Sequence, residues 1–275
     1  MLSTRLALSK SLPFPVLETL CRELETQSGG RLGVYLFDGR NDKEFLYRGH
    51  ERFPMCSTFK WLAAAAVLGQ VDMGRDRLDR QIRFRAQDVL DYSPVTRSHA
   101  DGPGLSIVRL CEAAIADSDN TAANLLLDAI GGLSGFNAFL RQHGDATTRL
   151  DRYEPALNEA RTDDVRDTTS PVAMGADLRR LLLGDGLSAA SRRQLTDWML
   201  ATRTSGKRLR AGLKAGWSLA DKTGTGYNGT ANDVGVYWTP DGKPIVLCIY
   251  LTTAQTPLAA QESVIARLGE RIRKD

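Results

Sequence analysis

The sequence lacks the residue patterns of a metalloprotein, of a disulfide-stapled domain and of a membrane protein. Its four cysteines form no C-x-x-C pair, and its three histidines are isolated from one another and from the cysteines. These spacings fit no zinc site, so we expect no bound metal. No apolar run approaches the roughly 20 residues that cross a bilayer, so we expect no membrane-spanning segment.

Charge of one sign is not in excess either. With 36 Lys and Arg against 33 Asp and Glu, the net charge is +3, and the basic residues form no long run. This argues against nucleic-acid binding and permits a small anionic substrate. The first ten residues make a poor signal peptide, because their apolar stretch is short and interrupted. Either the protein is cytoplasmic or an export signal has been removed, and composition leaves both open.

The apolar pattern predicts strands at both ends of the chain and helices between them. An amphipathic helix is expected over residues 15–27 and a closing helix over Leu258–Arg273. Five strands are expected at Leu32–Phe37, Glu44–Tyr47, Trp217–Thr223, Asn232–Thr239 and Ile245–Thr252. From about residue 56 to 200 the chain has mostly helical patterns divided by Gly- and Pro-containing loops, of which residues 144–169 form a long charged one.

These elements predict an α/β fold of the α+β type. An antiparallel five-stranded sheet, flanked by the terminal helices, would form one discontinuous domain from residues 1–49 and 203–275. An all-helical domain, residues 50–202, would be inserted into it, with the active site between the two.

A hydroxyl and an amine stand three residues apart in Ser57-Thr58-Phe59-Lys60, at the head of a run of good helix formers. Residues i and i+3 share a helix face, so the Lys60 amine would reach the Ser57 oxygen. The helix N-terminus would favour a deprotonated nucleophile. The alternative is that Ser57 only caps the helix. Ser-x-x-Lys arises by chance on the order of once in such a chain, so it needs corroboration.

Two further motifs supply hydroxyls, an amide and a lysine. Ser118 and Asn120 flank an aspartate in a break between predicted helices and would face one side. Lys222-Thr223-Gly224 ends a predicted strand, where the lysine and nearby hydroxyls, including that of Thr225, would hold a carboxylate. The alternatives are an ordinary helix cap and a solvated edge-strand lysine.

The long loop carries Glu154 and, four residues later, Asn158. A carboxylate and an amide at that spacing would hold one water between them if the segment is locally helical. Arg152 and Asp167 bracket them and would close the loop through an ion pair. The alternative is an exposed loop carboxylate without a role.

The four motifs occur once each, in this order, and together resemble a class A β-lactamase. The resemblance covers about residues 15 to 270 and includes Tyr92-Ser93-Pro94-Val95-Thr96 and Arg152-Tyr153-Glu154-Pro155. It implies the fold of serine β-lactamases and penicillin-binding transpeptidases, without metal or organic cofactor. It further implies a periplasmic or secreted monomer that hydrolyses the β-lactam amide of penicillins and early cephalosporins and confers antibiotic resistance. Its partners would be small molecules, with no nucleic acid and no membrane.

The resemblance also implies a role for each motif residue. Ser57 would form the acyl-enzyme, Lys60 and Glu154 would carry its proton, and which of the two is the acylation base stays open. Ser118 would protonate the leaving nitrogen. A Glu154-activated water, positioned by Asn158, would deacylate the enzyme. Residues implied in substrate binding are Tyr92, Asn120, Arg208, Lys222, Thr223, Gly224 and Thr225.

Three further expectations follow from the resemblance. The backbone N–H groups of Ser57 and Thr225 would form the oxyanion hole, and the Glu154-Pro155 bond would be cis. Where many members carry a carboxylate-binding arginine the sequence has Ala231, and Arg208 is our candidate substitute. A D,D-peptidase or esterase, and a penicillin sensor that stays acylated, are the rival functions, and both should lack a deacylating glutamate.

The resemblance predicts that no disulfide forms. The positions that pair with Cys56 and Cys111 in related enzymes hold Gly226 and Ala64 here. Titration of the denatured, unreduced protein with a thiol reagent should therefore count four free thiols. A lower count would reveal a bridge.

Overall fold

A five-stranded antiparallel sheet lies at the centre of the computed structural model, which describes residues 14–274. Its strands are β1 (Arg31–Asp38), β2 (Lys43–Tyr47), β3 (Ser218–Gly226), β4 (Thr230–Trp238) and β5 (Pro244–Thr252). Their order across the sheet is β2-β1-β5-β4-β3. The predicted sheet, assembled from both ends of the chain, is confirmed. The first ten residues, which we judged a poor signal peptide, lie outside the described residues.

Helices cover both faces of the sheet, and for this reason β5 is buried along almost its whole length. The terminal helices α1 (Phe14–Ser28) and α8 (Leu258–Arg273) pack on one face and form an apolar core with it. The other face meets a larger helical layer through a second core. That layer contains α2 (Phe59–Asp72), α3 (Ile107–Ala116), α4 (Asn120–Ala129), α5 (Gly132–Gln142), α6 (Pro171–Leu178) and α7 (Ala189–Leu200).

Short elements complete the described chain. Single turns of 3-10 helix lie at Cys56–Thr58, Ala86–Asp88, Thr96–His99 and Ala156–Glu159, and a π-helical turn at Arg179–Leu183. Two pairs of two-residue strands join Phe53–Pro54 to Thr168–Thr169 and Gln81–Ile82 to Leu105–Ser106. In the part of the chain described, no single helix is long and apolar enough to cross a membrane, although α4 and α5 together, bent by 73°, meet that test.

Helix α2 is the central element of the helical layer. Every residue from Phe59 to Leu68 is buried, Lys60 included, so this part of the helix is enclosed on all sides and has no solvent-facing polar side. Its position fixes the Ser57 turn that precedes it against the sheet.

Apart from shifts of one or two residues at the ends of elements, two differences from the prediction stand out. The helical pattern that follows the long charged loop is α-helical only to Leu178 and then widens into the π-helical turn. Strand β3 continues three residues beyond the expected end, to Gly226. The expected four free cysteines are confirmed, and all are buried. The division into domains at residues 49/50 and 202/203 stays a prediction.

Because α6 packs closely on the sheet, adding a single methyl group to the helix should destabilise the fold. A Cβ at Gly175 would lie 2.2 Å from two ring atoms of Tyr35. Gly175→Ala should therefore lower the free energy of unfolding in urea by about 1–3 kcal/mol, less a gain in helix propensity of up to about 1 kcal/mol. Gly206→Ala is the matched control, because a Cβ there meets nothing within 4 Å. Equal unfolding midpoints for the two variants would contradict the packing argument.

Candidate active site

Ser57 lies on the 3-10 turn directly before α2. The preceding residue, Cys56, has a φ of 46°, a left-handed conformation that non-glycine residues adopt rarely and often at functional sites. Thr58, not Ser57, occupies the cap position of α2, and no side chain caps the helix. The reading of Ser57 as a helix cap is therefore wrong. Its Oγ lies 3.4 Å from Glu154 Oε1.

Lys60, on the first turn of α2, is completely buried. Its Nζ lies 3.0 Å from Glu154 Oε1 and donates to Ser118 O at 2.8 Å and to Asn120 Oδ1 at 2.5 Å. Among the described residues no hydrogen bond joins Nζ directly to Ser57, so Glu154 Oε1, which contacts both, links them. Burial lowers the pKa of Lys60 although the Glu154 charge opposes the shift. A readily deprotonated amine near a hydroxyl suits general-base chemistry.

In the segment Ser118–Asn120, the aspartate has a structural role and the other two residues line the cleft. Asp119 is buried and caps α4, because its carboxylate accepts from Ala122 N at 2.9 Å. Ser118 has a left-handed φ of 60°. Ser118 and Asn120, on either side of the capping residue, both line the cleft.

Lys222 is buried beneath the cleft on β3, so its reading as a solvated edge-strand lysine is wrong. Its Nζ donates to Ser118 Oγ at 3.0 Å and to Thr223 O at 2.9 Å. Burial, and then the charge of Lys60, lower the pKa of Lys222 to about 7. Gly224 lets the strand approach the Ser57 turn, since a Cβ there would lie 2.6 Å from Met55 O.

Arg208 follows α7 and lies buried behind the end of β3. Its Nη1 donates to Gly224 O at 2.8 Å and Asn232 O at 2.9 Å, and its Nη2 donates to Thr225 Oγ1 at 2.6 Å. Because arginine only donates, Thr225 Oγ1 must accept, and its own hydrogen remains free for a ligand. Arg208 itself borders the cleft.

Glu154 is buried, so its reading as an exposed loop carboxylate is wrong. Asn124 holds its backbone by accepting from Glu154 N and donating to Glu154 O, both at 3.0 Å. The bond to Pro155 is cis, as the resemblance implied. Asn158 Nδ2 donates to Glu154 Oε2, while Asn158 Oδ1 is buried without a partner. That orphan acceptor beside a carboxylate oxygen is suited to hold a water.

An ion pair closes the loop that carries Glu154. Arg152 Nε lies 2.6 Å from Asp167 Oδ2, which confirms the predicted pair. Asp167 also accepts from the backbone N–H groups of Asp151 and Arg152, at 2.7 and 2.9 Å. The carboxylate is thus satisfied although it is buried.

The predicted residues converge on one cavity. It measures about 310 Å³ and is lined by Ser57, Tyr92, Ser118, Asn120, Asn158, Thr204, Arg208, Thr223 and Thr225. Lys60, Glu154 and Lys222 lie buried beneath it. A cavity of about 560 Å³, bordered by Tyr92 and Tyr227, shares part of this lining.

Sequence reasoning missed Thr204 and Tyr227. Thr204 Oγ1 lies 2.6 Å from Thr223 Oγ1, yet it sits in an irregular loop that no motif marks. Tyr227 also belongs to no motif, and the available signal for its place at the rim of the cleft was its position two residues after Thr225.

Comparison with known proteins gives one consistent result. A sequence model of the β-lactamase enzyme family matches residues 17–275. The chain is 44% identical over 245 residues to the β-lactamase AER-1 of Aeromonas hydrophila, covering 89% of this chain and 81% of that protein. It is 44% identical over 264 residues to a β-lactamase of Citrobacter koseri, covering 96% and 89%. The solved structure of an ancestral class A β-lactamase, GNCA, superposes with a TM-score of 0.92 at 56% identity, covering 94% and 99%.

The buried loop ion pair predicts a loss of stability when its cation is removed. Arg152→Ala would leave the buried Asp167 carboxylate without its charged donor and should lower the free energy of unfolding by about 1–3 kcal/mol. Arg149→Ala, which breaks the more exposed pair with Asp151, should lower it by less than about 1 kcal/mol. Denaturant titrations compare the two variants. Equal losses would show that the Arg152 pair does not hold the loop.

Proposed function

The chain belongs to the class A β-lactamases, hydrolases of cyclic amides, and from that premise we propose that it opens penicillins and early cephalosporins through a Ser57 acyl-enzyme. The relatives support β-lactam hydrolysis and antibiotic resistance as its general activity. The observation that carries the finer proposal is Glu154, a buried carboxylate that contacts both Ser57 and Lys60 and adjoins the orphan oxygen of Asn158.

Acylation begins with attack of Ser57 Oγ on the β-lactam carbonyl carbon. The hydroxyl proton passes to Glu154 Oε1, 3.4 Å away, and Lys60 at 3.0 Å from the same oxygen exchanges protons with it. As the carbon–nitrogen bond breaks, the leaving nitrogen takes a proton from the Ser118 hydroxyl. Lys60, whose Nζ lies 3.5 Å from that hydroxyl, passes the proton taken from Ser57 on to it, so that Glu154 is again a carboxylate. Lys222 donates to the same hydroxyl at 3.0 Å and keeps its own proton. The backbone N–H groups of Ser57 and Thr225 stabilise the oxyanion.

Deacylation requires a water that the loop supplies. Glu154 Oε2 and Asn158 Oδ1 hold and orient it, and the carboxylate removes its proton as the oxygen attacks the ester carbonyl. The ester bond breaks, Ser57 regains its proton, and the ring-opened acid leaves. The rival functions do not need this pair of residues. A D,D-peptidase, an esterase or a sensor is therefore a weaker explanation of a buried Glu154 next to Asn158.

The donors of the cleft fit the rest of a β-lactam. Lys222 and the hydroxyls of Thr223 and Thr225, supported by Arg208, bind the substrate carboxylate. Asn120 Oδ1 accepts from Lys60, so its amide N–H groups are left to bind the side-chain carbonyl of the substrate. Tyr92, 55% exposed, forms a wall of the cleft. We further propose that the enzyme acts as a monomer in the periplasm or after secretion.

Nitrocefin turnover tests the role assigned to Glu154. The wild type should turn over many equivalents. Glu154→Ala, in which the buried Lys60 amine is left to take the Ser57 proton, should still be acylated but should deacylate more slowly by about 10²–10⁴-fold, because no general base activates the water. Mass spectrometry should find the trapped adduct. Glu159→Ala, which removes another carboxylate of the same loop, is the control and should keep turning over. A single stoichiometric burst from the wild type would favour a sensor instead.

A further inference from the structure

Two aspartates lie buried directly behind the carboxylate-binding end of β3. Asp221 and Asp233 have no exposed surface and lie on the same face of the neighbouring strands β3 and β4. Asp233 pairs with Thr223, and Asp221 pairs with Gly235. A Cβ at Gly235 would lie 2.9 Å from the Asp221 Cβ, so the glycine leaves room for the Asp221 side chain. Neither aspartate has a part in the mechanism above.

Each carboxyl group has one oxygen with a donor and one without. Arg210 Nη2 donates to Asp221 Oδ1 at 2.5 Å, and Leu209 N donates to Asp233 Oδ2 at 3.1 Å. Asp221 Oδ2 and Asp233 Oδ1 are buried and have no donor among residues 14–274. The two carboxyl groups interact with each other, and burial raises the pKa of both. Two adjacent buried carboxylates cannot both ionise cheaply, and one proton between them supplies the missing donor.

The surrounding arginines indicate which aspartate keeps the charge. Arg210 binds Asp221 directly, so a negative charge is favoured there. Arg208 gives its N–H groups to backbone oxygens and to Thr225, and its contact with the Glu262 carboxylate is longer, at 3.4 Å. Arg208 and Asp233 are close enough to interact electrostatically. A charge on Asp233 would therefore offset that of Arg208.

We propose that Asp221 and Asp233 share one proton, that the negative charge rests on Asp221, and that Asp233 is thereby a neutral positioning residue that leaves the charge of Arg208 available to the substrate carboxylate. The proposal deepens the proposed function and rests on it for the identity of the bound anion.

Two isosteric variants with the same net charge test this arrangement. In Asp233→Asn the remaining charge stays on Asp221 beside Arg210. In Asp221→Asn it moves to Asp233, toward Arg208. The KM for benzylpenicillin should be about tenfold higher in Asp221→Asn than in Asp233→Asn, because a charge on Asp233 would interact with Arg208. The kcat values of the two variants should agree within about twofold. With Arg208→Ala added to each, the two KM values should become equal.

The melting temperatures of the two variants serve as a control for loss of structure. A general loss of structure would change kcat as well as KM, whereas the proposal predicts a change in KM alone. Equal KM values in the two variants with Arg208 intact would overturn the proposed action through Arg208. A KM difference that survives Arg208→Ala would overturn it as well.

Infrared spectroscopy tests the shared proton without activity. The difference between wild type and Asp233→Asn at neutral pH should contain the carbonyl stretch of a protonated carboxylic acid. A second buried pair, Asp145 and Asp177, also has oxygens without donors, and Asp177→Asn identifies its separate band. Absence of the acid band from the Asp233→Asn difference would overturn the shared proton, even if Asp221→Asn does not fold. If the wild type does not open penicillins, the proposed function is wrong, but the infrared spectrum still shows whether Asp221 and Asp233 share a proton.

Discussion

Two buried lysine amines lie beneath one cleft, and keeping both there is the constraint on which the surrounding side chains depend. Lys60 and Lys222 both reach Ser118 Oγ, at 3.5 and 3.0 Å. Burial lowers the pKa of each, and the charge of Lys60 lowers the pKa of Lys222 further. Glu154 compensates at Lys60, and the carbonyl of Thr223 accepts from Lys222. Burying an amine so that its pKa falls is unfavourable for the fold, but such an amine is useful to a reaction that transfers protons. Strongly shifted pKa values are typical of functional sites.

The cations also decide which way the neutral groups of the cleft point. Lysine and arginine only donate, so a hydroxyl or amide oxygen that they bind must accept and turn its own hydrogen elsewhere. Such pairs at the border of the cleft include Lys222 with Ser118 Oγ, Arg208 with Thr225 Oγ1, and Lys60 with Asn120 Oδ1. The free hydrogens are consequently available to a ligand. A cleft that presents donors fits a ligand with a carboxylate, an amide carbonyl and a developing oxyanion, as a β-lactam has.

Much of this arrangement could be predicted from the sequence, because its signals are local. The closing helix over Leu258–Arg273 and the five strands follow from apolar spacing and from turn residues between the strands. Burial was not predictable from residue type. Lys222 and Glu154 belong to types that are mostly exposed, yet the helical layer and the closed loop cover them. The same holds for Thr204, which meets Thr223 only after β3 has formed.

Glu154 joins the turn that carries the proposed nucleophile to the loop that would supply the water. One of its oxygens contacts Lys60 and Ser57, and the other accepts from Asn158. If the loop opened, Lys60 would lose its ionised partner while remaining buried, and its protonated form would become less favourable. Under the proposed mechanism, the loop would therefore act on acylation as well as on deacylation. Any change that repositions Glu154 to improve one half of the reaction must alter the protonation of Lys60, and with it the other half.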